Sequence, residues 1–147
     1  MKMILSNRKT LVAVALAGAF LASCSTMNMA PAGSEKLALS GSQEVPPTST
    51  GASGNAGITI GADCSVKGNI SVSGMTATAA HIHEGKAGAN GGVAVPFVKT
   101  ADNTFEAAPG AKMTEAQCAA YKAGNTYVNV HSEANKGGEV RGQLAGK

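Results

Sequence analysis

Hydrophobic and polar residues alternate most regularly between positions 64 and 73. Cys64, Val66, Ile70 and Val72 fall on one phase, and Ser65, Lys67, Asn69, Ser71 and Ser73 fall on the other. A period of two belongs to a strand with one buried face, and Gly68 inside it reads as a bulge or kink. Weaker runs of the same kind predict strands over 36–43, 57–60, 76–83, 93–98, 104–107, 126–131 and 139–144. Pro46-Pro47 closes the first run, because proline cannot enter a central ladder. The Ser/Thr/Gly-rich stretch 48–55 reads as a loop. One segment has a different rhythm: Thr114-Glu-Ala-Gln117 has the form of a capping box, and Gly124 is a natural stop, so one short helix is expected near 114–123. Short strands separated by turn signals, with a single helix, predict an all-β fold: an antiparallel, Greek-key-like sandwich or barrel.

Composition narrows how such a fold is filled. Among 147 residues there are three Phe, two Tyr, no Trp and 19 Gly, so the core must be made of Val, Ile, Leu and Ala. Several function classes drop out. There is no GxxxxGK[ST] phosphate loop, no GxGxxG turn and no GxSxG nucleophile elbow. No basic block marks a nucleic-acid face. The carboxylates are scattered, with no obvious acid/base pair.

The amino-terminal segment changes the meaning of the net charge of +3. Lys2, Arg8 and Lys9 precede an apolar run over 10–21, the pattern of an export signal too short to remain as a spanning helix. Without those three cations, nine Lys/Arg face nine Asp/Glu, and the remaining chain is formally neutral. Neutrality gives no reason to expect nucleic acid as a partner. The signal ends in Leu21-Ala22-Ser23-Cys24, which resembles the bacterial lipobox. That resemblance implies a lipoprotein signal peptide over 1–23 and a diacylated Cys24, palmitate being the acyl group expected. It also implies anchoring in the outer membrane, facing the periplasm, because Ser25 and not Asp follows the cysteine. Two acyl chains hold stably where one holds only marginally. An ordinary secreted protein with Cys at its cleavage site is the alternative. Residues 24–35 lack periodicity and read as a flexible tether, leaving 36–147 as the domain.

With Cys24 assigned to lipid, Cys64 and Cys118 remain as an even pair in an oxidising compartment. A bridge between them would close a loop of 54 residues. In the chain-entropy model such a loop is worth about 4 kcal/mol. Two buried free thiols are the alternative.

His81 and His83 flank Ile82, so on a strand both rings share one face. Tyr127, Asn129 and His131 likewise share the polar phase of their strand, with Val128 and Val130 behind. If the two strands are neighbours, three imidazoles converge, a donor set that suits copper or zinc. Glu84 and Glu139 are candidates to complete or orient that shell. Ligation would then fail as the rings protonate near the ordinary imidazole value of about 6.5. A polar cluster without metal is the competing reading.

Three motifs in order resemble the CHRD domain, named for its repeats in chordin. They are Leu39-Ser-Gly-Ser-Gln-Glu-Val-Pro-Pro47; then Ala80-His-Ile-His-Glu-Gly85 with Gly88-Ala-Asn-Gly91; and Thr126-Tyr-Val-Asn-Val-His131 with Gly138-Glu-Val-Arg-Gly-Gln143. The resemblance spans about 37–144 and implies an all-β extracytoplasmic binding domain without a settled activity. Within these motifs, Glu44, Glu139 and Arg141 read as an Arg–carboxylate network closing one end of the fold. Arg141 lining the histidine site is the alternative. A weaker likeness to copper/zinc superoxide dismutase also exists, in an exported β-domain with one disulfide and a His-x-His motif. That enzyme needs six histidines and an Asp for its two metals, and three histidines do not furnish both sites. The reading is therefore a lipid-anchored, non-catalytic CHRD binding module that holds one copper or zinc ion. A copper-dependent redox enzyme, or a purely structural or protein-interaction module, stands as the alternative, and no protein partner can be named.

Overall fold

Eight antiparallel strands close on themselves in the order β1-β2-β3-β6-β5-β4-β7-β8 in a computed structural model that describes residues 33–147. The strands are β1 (Glu35–Ser40), β2 (Ser53–Ile60), β3 (Val66–Ser73), β4 (Ala77–Glu84), β5 (Val93–Ala101), β6 (Thr104–Ala107), β7 (Thr126–Ser132) and β8 (Val140–Leu144). The helix α1 (Glu115–Lys122) joins β6 to β7. The order is a Greek key: β4, β5 and β6 follow one another as hairpins while β3 lies beside β6. The export signal, Cys24 and most of the tether lie outside the described residues.

The alternation that marked each strand also decides what fills the barrel. Ile58, Val66, Ile70, Ile82, Phe105, Val128, Val130, Val140 and Leu144 are buried in one continuous core. Small aliphatic side chains suit a closed barrel of eight strands, whose interior is just wide enough to be filled by side chains. The first strand ends earlier than its sequence pattern, at Ser40, and Gly41–Gln43 forms a 3₁₀ turn. The second begins earlier, at Ser53, because Ser53 and Gly54 still pair with Ser73 and Val72. Gly68 makes no bulge, since pairing of β2 with β3 runs unbroken from Ser53↔Ser73 to Ile60↔Val66.

Helix α1 starts where its sequence signature places it. The Thr114 hydroxyl accepts from the Gln117 amide, and the Gln117 side chain accepts from the Thr114 amide. Cys118, on the buried face of α1, is bonded to Cys64 with the two Cα atoms 5.7 Å apart. The long connection between β6 and β7 is thereby fastened to the start of β3.

One region departs from simple alternation. Of the seven residues of β7, six are buried and His131 is intermediate, so both faces of this strand are covered. Val128 and Val130 face the core, while Tyr127 and Asn129 are buried on the outside of the barrel. A chain segment on either side of β7 accounts for this. The turn after β1 packs against β8, and the loop between β4 and β5 returns to β7 through the Gly91 amide, which donates to Tyr127 Oη at 3.1 Å. A polar layer is held between barrel and loops.

Candidate metal centre

β4 and β7 are neighbours, and their register sets the rings together. His83 lies opposite Tyr127, His81 opposite Asn129 and Ala79 opposite His131, so His81 and His131 sit diagonally on one face. Ring centroids are 4.9 Å apart for His81–His131, 5.4 Å for His81–His83 and 5.6 Å for His83–His131. One nitrogen from each ring lies within 4.8 Å of the others. On its other side β4 pairs with β5 through a register shift between Ile82 and His83. Such irregularities re-aim a side chain next to a site.

Hydrogen bonds fix which nitrogens are free. His83 Nδ1 is 3.0 Å from the Gly91 carbonyl and His131 Nδ1 is 3.0 Å from the Lys136 carbonyl. A carbonyl only accepts, so both Nδ1 atoms carry the proton and both Nε2 atoms keep a lone pair. His131 Nε2 accepts from His81 Nδ1 at 3.0 Å. His83 Nε2 is buried and has no partner. An orphaned buried lone pair beside two further imidazoles is a donor set that could hold a metal ion, for which M–N distances are about 2.0–2.1 Å. His81 would offer Nδ1 to such an ion once its proton shifted to Nε2. Carbonyl-tethered rings of this kind are the usual way that a protein orients histidine ligands.

The electrostatics keep the rings neutral. Burial, and then the neighbouring His131 and His83, push His81 down to about 4. Burial likewise holds His83 and His131 below the ordinary imidazole range, against the raising effect of their backbone hydrogen bonds. The mouth of the site is an open pocket of about 330 Å³, with Thr78, Val93, Ser132 and Lys136 at its rim.

Neither acidic residue expected near the rings joins the group of ligand atoms gathered there. Glu84 is exposed at the end of β4. Glu139 accepts from Thr50 at 2.7 Å and from Ser132. Burial would raise the Glu139 carboxyl, but these hydrogen bonds hold it low. What orients the rings is main chain, at Gly91 and Lys136.

The Arg–carboxylate network expected of Glu44, Glu139 and Arg141 is also differently arranged. Arg141 is 1% exposed and makes no ion pair with either carboxylate. It donates to Asn90 Oδ1 at 3.4 Å, the Lys86 carbonyl at 3.1 Å and Gln143 Oε1 at 3.0 Å. Its guanidinium lies 3.5 Å from the Tyr127 ring centroid, a cation–π contact. Tyr127 in turn stacks on His83, with centroids 5.1 Å apart and planes 12° from parallel. Since β7 lies between β4 and β8, the tyrosine ring stands between the histidine and the arginine. Arg141 thus reaches the histidine site only through Tyr127. Glu44 is held under Gly138, where a Cβ would meet Glu44 Oε1 at 2.7 Å and the Asn129 amide at 2.4 Å. Burial raises Glu44 to about 7, even though Arg141 and Asn129 act to lower it.

Sequence reasoning did not find Gly91. Its amide donates to Tyr127 Oη while its carbonyl accepts from His83 Nδ1, so one residue ties the loop to both rings. A Cβ there would lie 1.5 Å from the Glu84 carbonyl oxygen. The only signal was its place in the glycine-rich stretch after His-Ile-His, which carries no geometry by itself.

The family description that matches this chain is the CHRD domain, over residues 36–144. Neither the curated proteins nor the solved structures gave a match.

Proposed function

The chain belongs to the CHRD domain family, and from that premise we propose a non-catalytic binding module of the cell envelope that holds one copper or zinc ion on His81, His83 and His131. The observation that carries the metal reading is the buried, unpartnered His83 Nε2 beside two further imidazole nitrogens. It is supported by the carbonyl contacts that hold His83 and His131 in the ligating tautomer. The module is carried outside the cytoplasm by the signal over 1–23 and held to the outer membrane, facing the periplasm, by acyl chains on Cys24. The lipobox-like Leu21-Ala-Ser-Cys24 and the Cys64–Cys118 disulfide support that placement.

Titration of purified, metal-stripped protein with Cu(II) and with Zn(II) tests the site. One equivalent is expected to bind, and His83→Ala is expected to abolish stoichiometric binding. Uptake below about a tenth of an equivalent of either ion would overturn the metal reading. Cys24→Ala is expected to move the protein from the membrane fraction to the soluble periplasmic fraction, and unchanged partition would overturn the anchor.

A further inference from the structure

A four-coordinate ion on three imidazoles has one position left, and the same pocket offers one anionic group for it. Among the described residues that line the pocket with His81, His83 and His131, Glu133 is the single carboxylate. It lies two residues past His131, just beyond the end of β7. The main chain that carries it is fastened to the site. The Lys136 carbonyl accepts from His131 Nδ1, and the Asn135 amide donates to Ser132 Oγ at 3.1 Å. The Glu133 side chain is not fastened in the same way. Its charged partner is Lys136 Nζ at 3.3 Å, and the two side chains are 80% and 78% exposed. Other polar side chains at this mouth are already engaged: Thr78 Oγ1 donates to the His131 carbonyl at 3.2 Å, and Ser132 Oγ donates to Glu139.

An ion pair this exposed contributes little, because water solvates both charges almost as well apart as together. A divalent ion is a far stronger partner for the same carboxylate. Three neutral nitrogens leave its charge whole, and one carboxylate at bonding distance offsets half of it. Rotation of a single exposed side chain exchanges the weak partner for the strong one. Resting on the metal reading above, we propose that Glu133 is the fourth ligand of this site, turning from Lys136 to a divalent ion held on His81, His83 and His131. Without an ion, Lys136 keeps the carboxylate at the mouth; with one, its ammonium is released to water. The completed set of three nitrogens and one oxygen suits a tetrahedral zinc-type centre, and it takes the fourth position away from water.

The test is chelator competition on purified, metal-stripped protein with Zn(II) and with Cu(II), for the parent and for Glu133→Gln. It is run at low salt and again in about 1 M sodium nitrate. Glu133→Gln is expected to weaken binding of both ions about tenfold or more. At about 1 M salt the Debye length is about 3 Å, so a carboxylate acting from a distance is screened and one bonded to the ion is not. The loss is therefore expected to persist in high salt. A structure with Zn(II) bound is expected to place a Glu133 oxygen about 2.0–2.2 Å from the ion. Binding by Glu133→Gln as tight as the parent's, or a difference that disappears in high salt, would overturn the ligand role and leave the three-histidine site standing. Failure of the parent to bind either ion would overturn both.

Discussion

At the scale of single residues, the molecule concentrates its constraints on one peptide. Gly91 satisfies the Tyr127 hydroxyl with its N–H and the His83 ring with its C=O. Gly91→Ala would drive a methyl group to 1.5 Å from the Glu84 carbonyl, so the loop must move and both contacts go with it. Stability is expected to fall by about 2–4 kcal/mol in chemical denaturation, with metal affinity lost alongside it. Tyr127→Phe is a gentler probe, since it keeps the stack between His83 and Arg141 and removes only the acceptor for the Gly91 amide. Its expected cost is about 1 kcal/mol, read from the shift in denaturation midpoint. A loss no greater for Gly91→Ala than for Tyr127→Phe would mean that the loop adapts without strain.

At the scale of elements, the Cys64–Cys118 bridge fastens α1 to the strand that follows Cys64. Its reduction, or the double substitution Cys64→Ser with Cys118→Ser, is expected to lower stability by about 2–5 kcal/mol. A midpoint indifferent to reductant would exclude that contribution. The elements themselves were legible because burial on one face imposes a period of two, and β3 carries it in Val66, Ile70 and Val72. The capping box of α1 was legible because it is local: Thr114 and Gln117 need no partner elsewhere in the chain. The convergence of the three rings followed from phase alone, once β4 and β7 became neighbours. What the pattern could not express is a second layer over the outside of a strand. Asn129 and Arg141 sit at polar phase yet are 1% exposed each, because loops distant in sequence cover them. For the same reason Arg141 seemed placed to meet carboxylates and instead meets carbonyls and an aromatic face. A guanidinium accepts either kind of company, and sequence spacing does not distinguish them.

At the scale of the whole molecule, two partly desolvated groups give the stability opposite slopes with pH. His81 is pushed down to about 4, so the unfolded chain takes up its proton more readily, and stability falls as pH drops from about 6.5 toward 4. His83 and His131 are also lowered and act in the same direction. Glu44 is raised from 4.5 to about 7, so its contribution is fully present below 4.5 and is lost as pH rises through 7. Glu44→Gln is therefore expected to be more stable than the parent above pH 7 and to flatten the alkaline side of a stability–pH curve. Equal alkaline slopes in variant and parent would show that Glu44 titrates normally. The lowered imidazoles also move the expected loss of bound metal downward. Ligation is therefore expected to persist below the ordinary imidazole value of about 6.5 before it fails, which a copper titration across falling pH would check.

The closed barrel also has a load path. Residues before 33 join the fold directly at β1, whose six residues Glu35–Ser40 pair one for one with Ile58–Ser53 of β2. Antiparallel ladder bonds run perpendicular to their strands. A pull on that end along the axis of β1 therefore strains all the rungs together, in shear, whereas a sideways pull would open them one at a time. β1 meets β8 through a single pair, Ser40↔Arg141, at the far end of the strand from the point of attachment. Tension entering at Glu35 is shared between the β1–β2 ladder and the Glu35 carboxylate, which accepts from the Ala145 amide just past β8 and from the Tyr121 hydroxyl of α1, while the paired seam beside Arg141 lies at the far end of β1.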